Sequence, residues 1–311
     1  MIAACVLALA LVGPRSYDGP TEVARPIDGV IAPAAIAPPR PVPTAATAPA
    51  PPRRSRSTPA FGRVRARWAL DATITVGAGV PLLVLNRWVA PQLPLQPLPS
   101  EPPDLGRADA LAHGQFAPRV ATATDVMVAV AMAAGPLVAL VDGHWAARAA
   151  SDHRRRAFLT KWGTAVLVEA EALALTGLVT SIMKYAVGRP RPYTSLGEAD
   201  VPARNRDELA HELQAADRSR SFPSGHSSMA FAAATSLATI LTLDAPPTRR
   251  GKLVVALAWS IGLLTAGTTA ALRVVAGKHY PSDILAGSAI GAAIGVATPL
   301  LHTRRPLGRR R

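Results

Sequence analysis

Six apolar runs, each close to the length that crosses a bilayer, constrain this chain more than any other feature. A span needs roughly 20 mostly apolar residues. The runs are Trp68 to Val89, Val120 to Val141, Trp162 to Met183, Ser227 to Leu243, Leu253 to Leu272 and Ile284 to Leu301. The first contains Asp71 and Pro81. Within a bilayer the backbone must satisfy its own polar groups, and a long apolar run does so as a helix. The reading is an all-α, six-span transmembrane helical bundle. Gly287, Gly291 and Gly295 recur every four residues in the sixth run. That spacing lines one helix face and suits close helix contact.

The flanking segments are polar. Residues 13 to 58 are rich in Pro and Ala without a period and read as a disordered tail. Met1 to Val12 is apolar but too short to span and has no basic start. It reads as a signal remnant or a misplaced start, and both readings stay open. The expected division is a tail over 1–67, a bundle over 68–301 and a basic tail over 302–311. Cys5 is the sole cysteine, which excludes an intramolecular disulfide and a cysteine metal site.

The net charge of +14 has a location. Basic residues gather before the first span, between spans two and three (Arg148, Arg154, Arg155, Arg156, Lys161), between four and five (Arg249, Arg250, Lys252) and after the sixth (Arg304, Arg305, Arg309, Arg310, Arg311). Alternating spans put all of these on one side. The positive-inside rule then sets both termini in the cytoplasm of an inner-membrane protein. Nucleic acid is excluded as a partner, because aromatics are only 5% and do not interleave with the arginines.

Three clusters fall at span ends on the opposite, outer side. Lys184 and Arg191-Pro192 follow span three. Pro223-Ser224-Gly225-His226 precede span four. Arg273 ends span five, and His279 and Asp283 open span six. Cations and helix N-terminal N–H groups stabilise the charge of a transferring phosphoryl group. Lys184, Arg191 and Arg273 supply the cations, and the arginines are able to grip two oxygens each. Ser224 and Gly225 supply backbone N–H groups. Two histidines supply a nucleophile and a general acid. Asp283, four residues after His279, is placed to accept from one of its ring nitrogens and fix the tautomer. Chemistry alone leaves the order of the two histidines open. No cysteine or carboxylate cluster joins these residues to hold a metal, and no cofactor is implied.

Lys184-x6-Arg191-Pro192, Pro223-Ser224-Gly225-His226 and Arg273-x5-His279-x3-Asp283 resemble the three signature motifs of the type 2 phosphatidic acid phosphatase (PAP2) superfamily, which also holds vanadium haloperoxidases. One departure is Leu272, where the family usually has Ser. The resemblance covers roughly Trp68 to Leu301 and implies a membrane lipid phosphatase with a metal-free phosphohistidine mechanism. By position it implies His279 as nucleophile, Asp283 as its orienting partner and His226 as acid. Lys184, Arg191, Ser224, Gly225 and Arg273 become phosphate ligands. The implied substrate is a phosphate monoester or pyrophosphate of a polyprenyl or glycerophospholipid. A phosphotransferase with an alcohol acceptor, a haloperoxidase-like protein and a non-enzymatic membrane protein are the rivals. Which lipid is used, and the oligomeric state, are not legible.

Other residues read more plainly. Asp125, Glu169 and Glu171 lie in spans, with the two glutamates on different faces and expected near the inner interface beside loop arginines. His113, His144, His153, His211 and His302 are expected in solvated loops. Arg189-Pro190 is expected either to add phosphate affinity or to stiffen the loop. Residues 207 to 216 suit a short helix that could act as a lid.

Overall fold

The computed structural model describes residues 63–92, 106–150 and 153–303. The expectations for Met1 to Val12, for the Pro-rich tail and for the arginines after residue 303 lie outside those residues.

Seven α-helices run along the described chain: α1 Trp68–Val84, α2 Pro118–Ala149, α3 Arg154–Val187, α4 Arg206–Gln214, α5 Gly225–Asp244, α6 Arg249–Val275 and α7 Pro281–Leu301. Among the described residues the only strand-like pairing is the bridge between Val64 and Thr303. All helices but α4 are long and apolar enough to cross a membrane, α1 together with the wider turn Leu85–Val89. The chain is a multi-pass membrane protein with an all-α bundle. Large apolar side chains such as Trp68, Leu83, Val126, Leu264, Leu285 and Leu301 face outward, as lipid-facing residues do.

Every span but the first runs past its predicted apolar run into polar turns. α3 starts at Arg154, eight residues before Trp162. Polar side chains at a membrane boundary reach water while the backbone stays helical, so hydropathy underestimates helix length. The ends are set by local chemistry. Gly188, at φ 63°, closes α3 with its N–H on the Lys184 carbonyl at 3.1 Å. Pro190 and Pro192 then prevent continuation. Gly277, at φ 71°, turns the chain out of α6, and a Cβ there would lie 1.8 Å from the Gln115 carbonyl oxygen. Pro281 occupies the first turn of α7.

α5 is the central helix, with the most buried span, and it packs most extensively on α7. The glycine stripe makes this contact. A Cβ on Gly287, Gly291 or Gly295 would lie 2.5, 2.0 or 2.2 Å from Ser224 O, Ser228 O and Thr235 Oγ1 respectively. At Gly287 and Gly291 a backbone carbonyl of α5 or its cap therefore lies directly against α7, and at Gly295 the Thr235 hydroxyl does.

At one end of the bundle, Asp244 closing α5 ion-pairs with Lys161 of α3 and accepts the Arg63 backbone N–H at 2.6 Å. Val64 is buried. The packed chain thus begins before the expected boundary at residue 68, and it runs on to His302 and Thr303 rather than ending at 301. The opposite end carries the three motif clusters.

Gly291→Val should lower the unfolding midpoint in detergent, by overpacking worth about 1–3 kcal/mol. Gly267→Ala is the control, because nothing lies within 4 Å of a Cβ there. Equal midpoints for the two variants would refute the stripe as a packing device.

Candidate functional site

The chain folds back three times at this end and brings all three clusters together. After α3, the Arg191 backbone N–H donates to the Arg218 carbonyl at 2.8 Å, and the Ser221 N–H donates to the Arg189 carbonyl at 2.8 Å. These bonds zip the α3 exit to the segment that leads into α5. The Ser224 N–H donates to the Asp283 carbonyl at 3.0 Å, joining the starts of α5 and α7.

His279 is fully buried. Its Nδ1 lies 2.8 Å from the Ser221 carbonyl oxygen. A carbonyl only accepts, so Nδ1 carries the hydrogen and Nε2 keeps its lone pair. Nε2 lies 3.4 Å from Nη1 of Arg191. Burial pushes the imidazole well below its usual 6.5, and Arg191, Arg273, Lys184 and His226 add to the effect.

Asp283 does not orient His279 directly. Its Oδ2 is 3.7 Å from Nδ1, too far for a hydrogen bond. This corrects the expected contact. The carboxylate accepts instead from the Ser221 hydroxyl, from the Tyr280 N–H at 2.8 Å and from Arg189 Nη1 at 2.7 Å. It holds the residue whose carbonyl holds the histidine. The reason is register: at the first turn of α7 the side chain folds back onto its own helix start, as an N-terminal capping carboxylate does.

Ser224 is also corrected in detail. It caps α5, its hydroxyl oxygen facing the Ser227 N–H at 3.4 Å and the Ser227 hydroxyl at 3.0 Å. With its N–H committed to Asp283, it offers no backbone donor to an anion. The first-turn N–H groups of Gly225 and His226 remain as the donors of this helix end. A Cβ on Gly225 would lie 3.7 Å from Lys184 Nζ, which places that ammonium beside the turn.

Each cation faces a carboxylate that sequence reasoning did not assign. Arg191 donates to the Asp217 side chain and, through Nε, to its carbonyl at 2.9 Å. Lys184 Nζ stands 4.0 Å from Asp217. Burial would raise the Asp217 carboxyl, but Arg191, Lys184 and His279 hold it down to about 2. The carboxylate is half exposed to solvent, so the pairing contributes little stability. Arg273 donates to Thr124 at 3.0 Å and to Asp125 at 3.5 Å. Asp125 Oδ1 also lies 2.6 Å from His226 Nε2. Arg189 bridges Asp109 and Asp283, both at 2.7 Å, and stacks on Tyr280. It is a structural strut, the loop-stiffening alternative. α4 buries Leu209 against Tyr193, and its Glu212 pairs with Lys278 beside His279.

Asp217, Asp109 and Ser221 carry no signal in a single sequence, because the first two sit in single short 3₁₀ turns and the third in irregular chain. Asp125 did carry one: an acid in an apolar run is functional by default.

The remaining expectations divide. His113 and His153 are exposed in loops as expected, whereas His144 and His211 are exposed but lie on α2 and α4 rather than in loops. His302 is buried, at the far end of the bundle, and is a correction. Glu169 and Glu171 do not meet loop arginines: Glu169 is buried against Gly135 of α2, and Glu171 faces His302.

The PAP2 superfamily model matches residues 165–306, which hold all three clusters. Over this segment the chain is similar to that superfamily. A PA-phosphatase related-family protein of Dictyostelium discoideum is 36% identical over 130 residues, 40% of this chain and 44% of the relative. Lipid A 1-phosphatases of Porphyromonas gingivalis and Rhizobium johnstonii are 30% and 29% identical over 136 and 137 residues, 43% and 42% of this chain. Those matches cover 23% and 46% of the two relatives, so the chain spans less than half the length of each of the three. No solved structure matches the chain significantly. Asp109, Thr124 and Asp125 lie outside the matched residues.

The buried neutral His279 has a consequence for stability. Its folded pKa lies below its unfolded value, so below pH 6.5 the unfolded chain takes up a proton that the folded chain refuses. Stability should fall by about 1.4 kcal/mol for each pH unit below that point. His279→Gln should lack this slope in thermal unfolding at pH 7 and pH 5. Parallel curves for wild type and variant would contradict the assignment.

Proposed function

We propose that this chain is an integral-membrane phosphatase that removes phosphate from a lipid through a phosphohistidine intermediate. The observation that carries the reading is the arrangement of His279: buried, with Nδ1 committed to the Ser221 carbonyl and the Nε2 lone pair 3.4 Å from Arg191 Nη1. The phosphatase names of the relatives support the reaction class, and the six spans support a substrate whose tail stays in the bilayer.

Lys184, Arg191, Arg273 and the first-turn N–H groups of α5 bind the phosphoryl oxygens. The Nε2 lone pair of His279 attacks phosphorus. The P–O bond to the lipid breaks, and its electron pair leaves on the lipid oxygen. His226, as imidazolium, donates a proton to that oxygen. Neutral His226 then takes a proton from water. The resulting hydroxide attacks phosphorus, the P–N bond breaks, and its electrons return to His279. Asp125 Oδ1 lies 2.6 Å from His226 Nε2 and competes with phosphate for Arg273. Asp217 competes in the same way for Arg191 and Lys184. No divalent cation has a part in these steps.

The substrate is a phosphate monoester or pyrophosphate on a polyprenyl or glycerophospholipid. The charge asymmetry of the loops supports cytoplasmic termini, with the site on the outer face of an inner membrane. The division into an N-terminal tail, a bundle and a basic C-terminal tail belongs to the same reading.

Purified protein should release phosphate from at least one of phosphatidic acid, polyprenyl pyrophosphate and lipid A, with no added Mg²⁺. His279→Ala should lose on the order of 10³-fold or more, as removal of a covalent nucleophile does. His226→Ala should slow lipid release while still trapping phosphate on the protein when the leaving group is a nitrophenolate. Undiminished turnover by His279→Ala would refute the phosphohistidine.

A further inference from the structure

Far from the motif clusters, at the other end of α7, three titratable side chains meet inside the bundle. Asp71 comes from the first turn of α1, Glu171 from the middle of α3 and His302 from the residue after α7. All three are more than nine-tenths buried. His302 Nε2 lies 3.1 Å from Asp71 Oδ2 and 3.4 Å from Glu171 Oε2. One donor atom from each residue lies within 4.8 Å of the others. The helix α7 between this group and His279 has 21 residues, about 30 Å of rise.

The group is a problem in charge. Two buried carboxylates face one imidazole. The only other charged side chain that approaches among the described residues is Arg67, with Nε 3.7 Å from Asp71 Oδ1 and most of its length in solvent. Burial of unbalanced carboxylates is costly. Hydrogen bonding within the trio does not resolve it. Among the described residues, Asp71 Oδ1, Glu171 Oε2 and His302 Nε2 are buried with no hydrogen-bond partner.

The rest of the histidine is committed. His302 Nδ1 lies 2.7 Å from the Thr298 carbonyl oxygen, so it carries the hydrogen and points Nε2 into the group as a lone pair. Metal-binding histidines are held this way, with the second ring nitrogen donating to a carbonyl. The Arg67 N–H donates to Asp71 Oδ2 at 2.5 Å, which likewise orients that carboxylate. The two separations from His302 Nε2, 3.1 and 3.4 Å, fit as well. Ligands about 2.0–2.2 Å from a zinc ion stand about 3.0–3.6 Å from one another.

We propose that Asp71, Glu171 and His302 bind one divalent transition ion of the zinc class. One imidazole and two carboxylates suit Zn²⁺ better than Ca²⁺ or Mg²⁺, which prefer oxygen alone. The ion's two positive charges cancel the two carboxylates. The site is structural and takes no part in phosphate chemistry. It ties α1, the least buried span, to α3 and to the chain leaving α7. The same corner is closed by the Arg65 N–H on the His302 carbonyl at 3.0 Å. The inference does not rest on the proposed function.

The test uses the full chain purified in detergent without chelator. Elemental analysis should find about one zinc per chain. Stripping it with phenanthroline should lower the unfolding midpoint by several degrees, and adding Zn²⁺ should restore it. Co²⁺ in place of zinc should give visible d–d bands. Glu171→Gln and His302→Gln should lose the metal and the midpoint response, whereas His226→Ala should keep both. If the two variants fail to fold, the cobalt spectrum of the wild type decides. A wild-type chain that shows no stoichiometric metal, no response to Zn²⁺ and no cobalt bands overturns the proposal. So does zinc that stays bound in both ligand variants or leaves with His226→Ala.

Discussion

The carboxylate of Asp283 is the constraint on which the motif end of the bundle depends. It is fully buried and draws in a hydroxyl, a backbone N–H and a guanidinium from three separate stretches of chain. Remove it and the α7 start, the segment before α5 and the α3 exit lose their common partner. The His279 imidazole would keep its ring but lose its tether, because the carbonyl that fixes Nδ1 belongs to Ser221. The aspartate thus acts at one remove. It sets the position of a peptide group, and the peptide group sets the tautomer.

A second principle governs the charges. Lys184, Arg191 and Arg273 do not stand unpaired waiting for an anion. Asp217 faces the first two, and Asp125 faces the third together with His226. Three buried cations in one pocket would repel one another, and the acids relieve that cost. Both acids are more than half exposed at their side chains, so they are able to yield to a more highly charged ligand. Affinity at such a site is a difference between two pairings rather than the strength of one.

The sequence made the fold legible because each span leaves its own local trace in hydropathy, and the glycine stripe marks its own partner-facing side. It made the motif residues legible because their types and spacing are unusual together. It did not show that Ser221 stands between Asp283 and His279, since that contact joins residues 58 apart through a backbone atom. A serine in a loop carries no mark of what its carbonyl touches. Asp217 was hidden for the same reason. His302 was misread as a solvated loop residue because the buried turn at the end of α7 follows directly on an apolar run, where hydropathy sets no boundary between core and tail.

The seam between α5 and α7 has a kinetic meaning. With carbonyls where side chains would otherwise stand, neither helix is free to rotate or slip past the other without steric collision. The two therefore behave as one rigid beam bearing both histidine motifs. α2 is not part of that beam, and it brings Thr124 and Asp125 to Arg273 and His226. Displacement of α2 would change the surroundings of His226 while leaving His279 in place.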